Sequence, residues 1–183
     1  STTYAVSHAS IDMSLKAFFR NYNFPVIFTR FANFYGPYQN SYRIIPKTIL
    51  FALLNLELPL HGGGVSMRSF IYHDDVSSGI LKCIDKAQIG ETYHFSTEEY
   101  VSIYDVVTMI CDQLEIDKKK IIKIVGDRPG KDQSYFMDIK KAKISLNWEP
   151  EVNLHNGIAK TISWVKNNLN NLKYLPNEYI HKT

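Results

Sequence analysis

Short runs of β-branched and aromatic residues alternate along this chain with longer segments whose apolar residues recur every three or four positions. That alternation restricts the fold more than any other feature, because it calls for strands and helices in turn, as in an α/β layer. Ile11, Leu15, Phe18 and Phe19 predict an amphipathic helix over Ser7 to Asn21, with Pro25 beyond it. Val26-Ile27-Phe28-Thr29 reads as a short buried strand, and Asn33 to Asn40, with Tyr35-Gly36-Pro37, as a loop. Ile44 to Leu56 reads as a helix that tolerates Pro46 in its first turn. Leu58-Pro59-Leu60 and Ser69 to Tyr72 read as two extended segments joined by a Gly62-Gly63-Gly64 hairpin turn. Asp74 to Ala87 reads as a helix with Val76, Ile80, Leu81 and Ile84 on its inner face. Gly90 to Ser96 and Ile121 to Val125 read as strands. Ser102 to Leu114, Lys140 to Leu146 and Leu154 to Leu169 read as helices, the first with a Ser102–Asp105 capping box. The polar end, Tyr174 to Thr183, is expected to be loosely held.

Composition narrows the function classes. Of 183 residues, 45% are apolar and 21% charged, which suits a folded domain rather than a disordered chain. A net charge of +3 spread over the chain leaves no nucleic-acid footprint. Residues 1–20 lack the apolar core of a secretory signal, and no apolar run reaches the roughly 18 residues of a membrane span. Cys83 and Cys111 lack metal or redox spacing and read as two buried, reduced thiols of a cytoplasmic protein. The six histidines show no metal-ligand spacing, and no GxGxxG, GxSxG, HExxH or P-loop occurs.

Two sets of residues could carry chemistry. Tyr4 and His8 lie four apart and share a face if the helix begins there. A tyrosine beside a cation is one way to make a phenolate base, but a free tyrosine has a pKa of about 10 and a neutral imidazole gives little help. Arg30, Arg68 and Arg128 lie at strand edges or in glycine-containing surroundings, where guanidinium groups can grip phosphates bidentately. A pair such as Tyr4 and His8 is also an ordinary helix-start pair, and each arginine alone is also an ordinary solvated side chain. The residues leave both readings open.

In order along the chain, Tyr4-Ala5-Val6-Ser7-His8, Arg30-Phe31-Ala32-Asn33-Phe34-Tyr35-Gly36-Pro37, Arg43-Ile44-Ile45-Pro46, Leu58-Pro59-Leu60-His61-Gly62 and Arg68-Ser69-Phe70-Ile71-Tyr72-His73-Asp74-Asp75 form a series. Asp127-Arg128-Pro129-Gly130-Lys131-Asp132 with Tyr135 and Asp138, and Asn147-Trp148-Glu149-Pro150, complete it. Over roughly residues 1–170 the series resembles the carboxyl-terminal half of the extended short-chain dehydrogenase/reductase family, in the branch that acts on nucleotide sugars. Within that branch it is most similar to the dTDP-glucose 4,6-dehydratases.

The resemblance implies a fold and roles. The fold is α/β: the last helix and strands of a Rossmann-type parallel sheet plus a small mixed α+β substrate-binding lobe. Residues 1–40 would be a remnant of the NAD-binding domain, 41–172 mainly the nucleotide-sugar lobe, and 173–183 a loose tail. Tyr4 would be the catalytic base, with His8 where the YxxxK motif has its lysine, and both would meet the NAD. Asn33, Arg43, His61, Arg68, His94, Arg128, Lys131 and Tyr135 would bind the substrate, a nucleoside-diphosphate sugar of the dTDP-glucose kind. In this family the sugar is oxidised at C4 by NAD, loses water across C5 and C6, and regains the hydride at C6. The glycine-rich NAD loop and the acid–base pair of the family would lie upstream of residue 1. The expectation is therefore a chain inactive alone, completed by an amino-terminal NAD-binding lobe and dimerising as a whole enzyme. No membrane and no metal are implied. Arg68-Ser69-Phe70 is nearer to the related epimerases and decarboxylases, which stand as alternatives, beside a non-catalytic sugar-nucleotide-binding module.

Overall fold

The computed structural model describes residues 3–127 and 133–179. Helix α1 (Thr3–Tyr22) starts four residues earlier than the spacing predicts and ends where Asn23 turns left-handed (φ 52°). Asn55 and Asn147 do the same after α2 (Ile44–Leu53) and α6 (Lys140–Leu146). Asparagine tolerates that conformation better than other non-glycine residues, so it stops a helix without strain. Helix α4 (Ile103–Gln113) opens with the expected capping box, the Asp105 N–H donating to Ser102 Oγ at 3.0 Å and the Ser102 N–H to Asp105 Oδ2 at 3.2 Å.

The strands are short and pair over long sequence distances. Strand β1 (Phe28–Phe31) lies two residues later than its apolar run suggests and runs parallel to β6 (Thr92–Phe95). Asn33–Tyr35, expected as loop, is strand β2, parallel to β5 (Phe70–Tyr72). Strands β3 (Leu58–His61) and β8 (Ile122–Val125) run parallel, while β4 (Met67–Arg68) is antiparallel to β7 (Val101–Ser102).

The hairpin expected at Gly62–Gly64 is not formed. Its two arms pair with β8 and β2 instead of each other, and the glycines make one left-handed 3₁₀ turn, φ 59°, 66° and 72°. Only glycine adopts three such angles in succession at little cost.

Two cores result. One is built from α2, α4, β3 and α7 (Leu154–Leu172), with Ile49, Val106, Ile110 and Ile158 at its centre; α5 (Lys118–Ile121) closes it through Ile121. The other lies between β1, β6, α6 and α3 (His73–Lys86), around Phe95, Tyr93, Ile71 and Trp148. Cys83 and Cys111 are buried, one in each core, and that burial pushes both thiols above their ordinary range.

Helix α3 corrects the predicted inner face. It buries Asp75, Gly79 and Cys83, leaving Ile80, Leu81 and Ile84 exposed. Gly79 decides this: a Cβ there would come within 2.6 Å of the Phe95 ring, so the glycine stripe lies flat on β6. Helix α1 has no buried residue and presents Tyr4, Val6, Ile11, Met13 and Phe18 to solvent. Among the described residues no helix is long and apolar enough to cross a membrane.

Candidate substrate-binding site

The site forms where one strand changes partners. The Ala32 N–H donates to Phe95 O on β6 at 2.9 Å, and one residue later the Asn33 N–H donates to Ser69 O, beside β5, at 3.2 Å. The chain thus leaves β6 and joins β5, so Asn33 sits past the carboxyl ends of β1 and β6. That is where open parallel α/β sheets hold ligands.

Three residues named from the resemblance meet there. The Tyr135 hydroxyl donates to Asn33 Oδ1 at 3.2 Å, and the Arg68 guanidinium lies 5.1 Å from the centre of the Tyr135 ring. Arg68 Nη1 also donates to Met67 O at 2.7 Å and to Gln133 O at 3.2 Å. All three side chains are half-buried. A guanidinium held by two carbonyls against an aromatic face is fixed in orientation. With Oδ1 occupied by Tyr135, the Asn33 amide is turned to donate.

The other expected site residues lie elsewhere or outside the described residues. Tyr4 and His8 share the exposed face of α1, as their spacing predicts, with ring centres 4.2 Å apart. They pair with each other. His61, at the end of β3, donates from Nδ1 to Gly126 O at 3.1 Å. It thereby ties β3 to the residues that lead toward Arg128 and Lys131, which are outside the described residues. Gly62 carries the same junction, since a Cβ on it would sit 2.5 Å from the Asp127 carboxyl carbon. Arg43, before α2, stacks 5.7 Å from the Tyr42 ring and is exposed. His94 stands on β6 in register with Arg30. Arg30, a phosphate candidate on sequence grounds, instead pairs with the Asp12 carboxylate and fastens α1 to β1.

Sequence reasoning missed a group of hydroxyls behind the site. Ser69, Ser96 and Thr97 are buried and linked, with Ser96 Oγ donating to Ser69 Oγ at 2.9 Å and Ser69 Oγ 2.8 Å from Thr97 Oγ1. Ser96-Thr97 directly after an aromatic strand was a visible signal, but its partner 27–28 positions earlier was not. It also missed Asp75, whose buried carboxylate accepts the N–H groups of Glu151 (3.0 Å) and Val152 (3.2 Å) and fixes the turn into α7. Among the described residues no group of three or more His, Cys, Asp or Glu could hold a metal ion.

Parallel strands with crossover helices, and a polar cluster past their carboxyl ends, define an α/β fold of the Rossmann-type extended short-chain dehydrogenase/reductase class. A solved dTDP-glucose 4,6-dehydratase from Bacillus anthracis, in complex with NAD, superposes with a TM-score of 0.91 at 34% identity, over 96% of this chain and 56% of that one. The chain belongs to the GDP-mannose 4,6 dehydratase family, whose model matches residues 1–161. It is 36% identical to dTDP-glucose 4,6-dehydratase 1 of Escherichia coli strain K12, over an alignment that covers 97% of this chain and 50% of that protein. It is 37% identical over 165 residues to an Arabidopsis thaliana trifunctional UDP-glucose 4,6-dehydratase, epimerase and reductase, covering 90% of this chain and 25% of that protein. The chain thus spans about half the length of the bacterial dehydratase and a quarter of the plant protein.

Proposed function

We propose that this chain carries the sugar-nucleotide-binding lobe of an NAD-dependent nucleotide-sugar 4,6-dehydratase. The observation that carries the proposal is the meeting of Arg68, Tyr135 and Asn33 past the ends of the parallel strands. Arg68 would pair with the diphosphate, a planar fork against two charged oxygens. Asn33 and Tyr135 would hydrogen-bond the sugar or the phosphate beside it. His61, His94, Arg43, Arg128 and Lys131 would complete the pocket toward the base and the phosphates. Residues 1–40 would belong with the cofactor layer and 41–172 mainly with this lobe, leaving 173–183 as a tail.

Tyr4 and His8 fit the edge of a cofactor site, being a phenol and an imidazole side by side on an open helix face. Both could meet a nicotinamide ribose. NAD, where bound, would supply the hydride-transfer chemistry. Tyr4 would hold the proton of the C4 hydroxyl, with His8 orienting the phenol. The 183 residues include no GxGxxG cradle for the dinucleotide phosphates, so an NAD-binding lobe would supply it. The exposed apolar residues of α1 suit burial against that lobe and a second copy, and the two buried thiols suit the cytoplasm.

Relatives named for dTDP-glucose and for UDP-glucose leave thymine and uracil both open. Titration calorimetry of the chain with dTDP, UDP and the two nucleotide-glucoses tests the reading. Binding of a diphosphate, and much weaker binding of dTMP or UMP, is expected; equal or no binding of all would refute it. A second reading, binding without turnover, is favoured by His8, whose imidazole is shorter than the lysine of the motif and less reliably charged.

A further inference from the structure

We propose that Ser69 is a positioning residue: its buried hydroxyl sets the direction of the Arg68 guanidinium. The value of that direction for diphosphate binding rests on the function proposed above.

Ser69 is a single residue between two strands with different partners. Arg68 before it pairs with Val101 on β7, and Phe70 after it pairs with Asn33 on β2. Its backbone carbonyl accepts the Asn33 N–H at 3.2 Å, so one residue adjoins Arg68 by covalent bond and Asn33 by hydrogen bond. Ser69 is 1% exposed and cannot touch a ligand itself.

Its hydroxyl is fully used. Oγ accepts from Ser96 Oγ at 2.9 Å and from the Thr97 N–H at 3.2 Å. A hydroxyl has one proton and two lone pairs, so its proton goes to Thr97, whose Oγ1 lies at 2.8 Å and carbonyl at 3.1 Å. Thr97 Oγ1 can pass its own proton to Glu99 O at 3.3 Å or Phe70 O at 3.4 Å. With Ser96 donating to Ser69, the order of donation runs from Ser96 through Ser69 to Thr97; Ser96 Oγ also has Thr97 O within reach at 3.1 Å. The end of β6 is thereby clamped to the residue after Arg68. Without the Ser69 oxygen, the Ser96 hydroxyl can still turn to Thr97 O at 3.1 Å, but the Thr97 N–H is left buried without this acceptor. The strand junction must then shift to satisfy it.

Two readouts test this on the full chain. In the free protein, the Arg68 Nε–H resonance, assigned by its loss in Arg68→Ala, should be displaced from the crowded position of solvated arginines. Ser69→Ala should move it to that position, and Ser69→Thr, which keeps the hydroxyl, should restore it. In calorimetry, Ser69→Ala should weaken dTDP binding about tenfold, the scale of one lost hydrogen bond, and have no further effect when Arg68 is already alanine. Ser69→Cys, which fills the same space with a weak hydrogen-bonding group, serves where Ser69→Ala does not fold. An Arg68 resonance unmoved by Ser69→Ala overturns the proposal, and so does an equal loss of binding in the Arg68→Ala background. A wild-type chain that fails to bind dTDP, with the Arg68 resonance still governed by Ser69, upholds the positioning role and refutes the diphosphate reading.

Discussion

At the scale of single residues, the proposed function leans most on Arg68. Its guanidinium is half-buried and tied to two backbone carbonyls, so its alignment is established before any ligand arrives. Arg68→Ala should weaken dTDP or UDP binding by about 1.5–3 kcal/mol, the range for a charge-assisted hydrogen bond, as read by calorimetry. Tyr35 makes a separate prediction. It is buried, donates to Leu154 O at 3.3 Å, and lies against Gly157, where a Cβ would fall 2.0 Å from its hydroxyl. Burial, followed by Tyr72, Glu99 and Asp75 nearby, raises its pKa far above the ordinary value. The folded chain therefore holds the Tyr35 proton where the unfolded chain loses it. That stability is complete below about pH 10 and falls as pH rises past it. Thermal unfolding should shift to lower temperature above pH 10, and less steeply in Tyr35→Phe.

The elements differ in how firmly they are held. Helices α2, α4 and α7 bury whole faces against one another, whereas α1 buries nothing. It is fastened at a few points: Arg30 on Asp12, Lys16 5.7 Å from the Phe28 ring, and Phe19 against Gly90. Its amide hydrogens should exchange by local opening, far faster than those of α2 or α7, in native-state exchange followed by mass spectrometry. Protection of α1 equal to that of α7 would contradict this. Helix α1 was plain in the sequence because a 3.6-residue period needs no tertiary partner to be read. Strand β2 was not, because Asn33-Phe34-Tyr35 beside Gly36 and Pro37 carries every local mark of a loop. Only parallel pairing with Phe70–Tyr72 makes it extended. Helix α3 misled for a related reason. Three apolar residues outlined a stripe, yet Gly79 was needed where helix and sheet approach closely.

For the molecule as a whole, the geometry separates an assembled side-chain cluster, proposed for the substrate, from an open helix face, proposed for the cofactor. Arg68, Tyr135 and Asn33 are already assembled, while Tyr4 and His8 face solvent on a helix with no buried residue. The purified chain should therefore convert no dTDP-glucose or UDP-glucose to the 4-keto-6-deoxy sugar, even with added NAD. Appearance of that product would refute the expectation. Where an NAD-binding lobe restores turnover, His8→Lys should raise the rate roughly tenfold at neutral pH, since a neighbouring ammonium lowers a phenol pKa by a unit or more. Local periodicity and the order of the motifs were enough to read the alternation of helices and strands, the Ser102–Asp105 cap and the family. Each depends on residues a few positions apart or on their succession along the chain. The strand partners, the covered face of each helix and the Ser69 hub were settled by packing. Strand ladders and burial join residues far apart, as Tyr135 joins Asn33 across 102 positions, and no local pattern records which partner will be met.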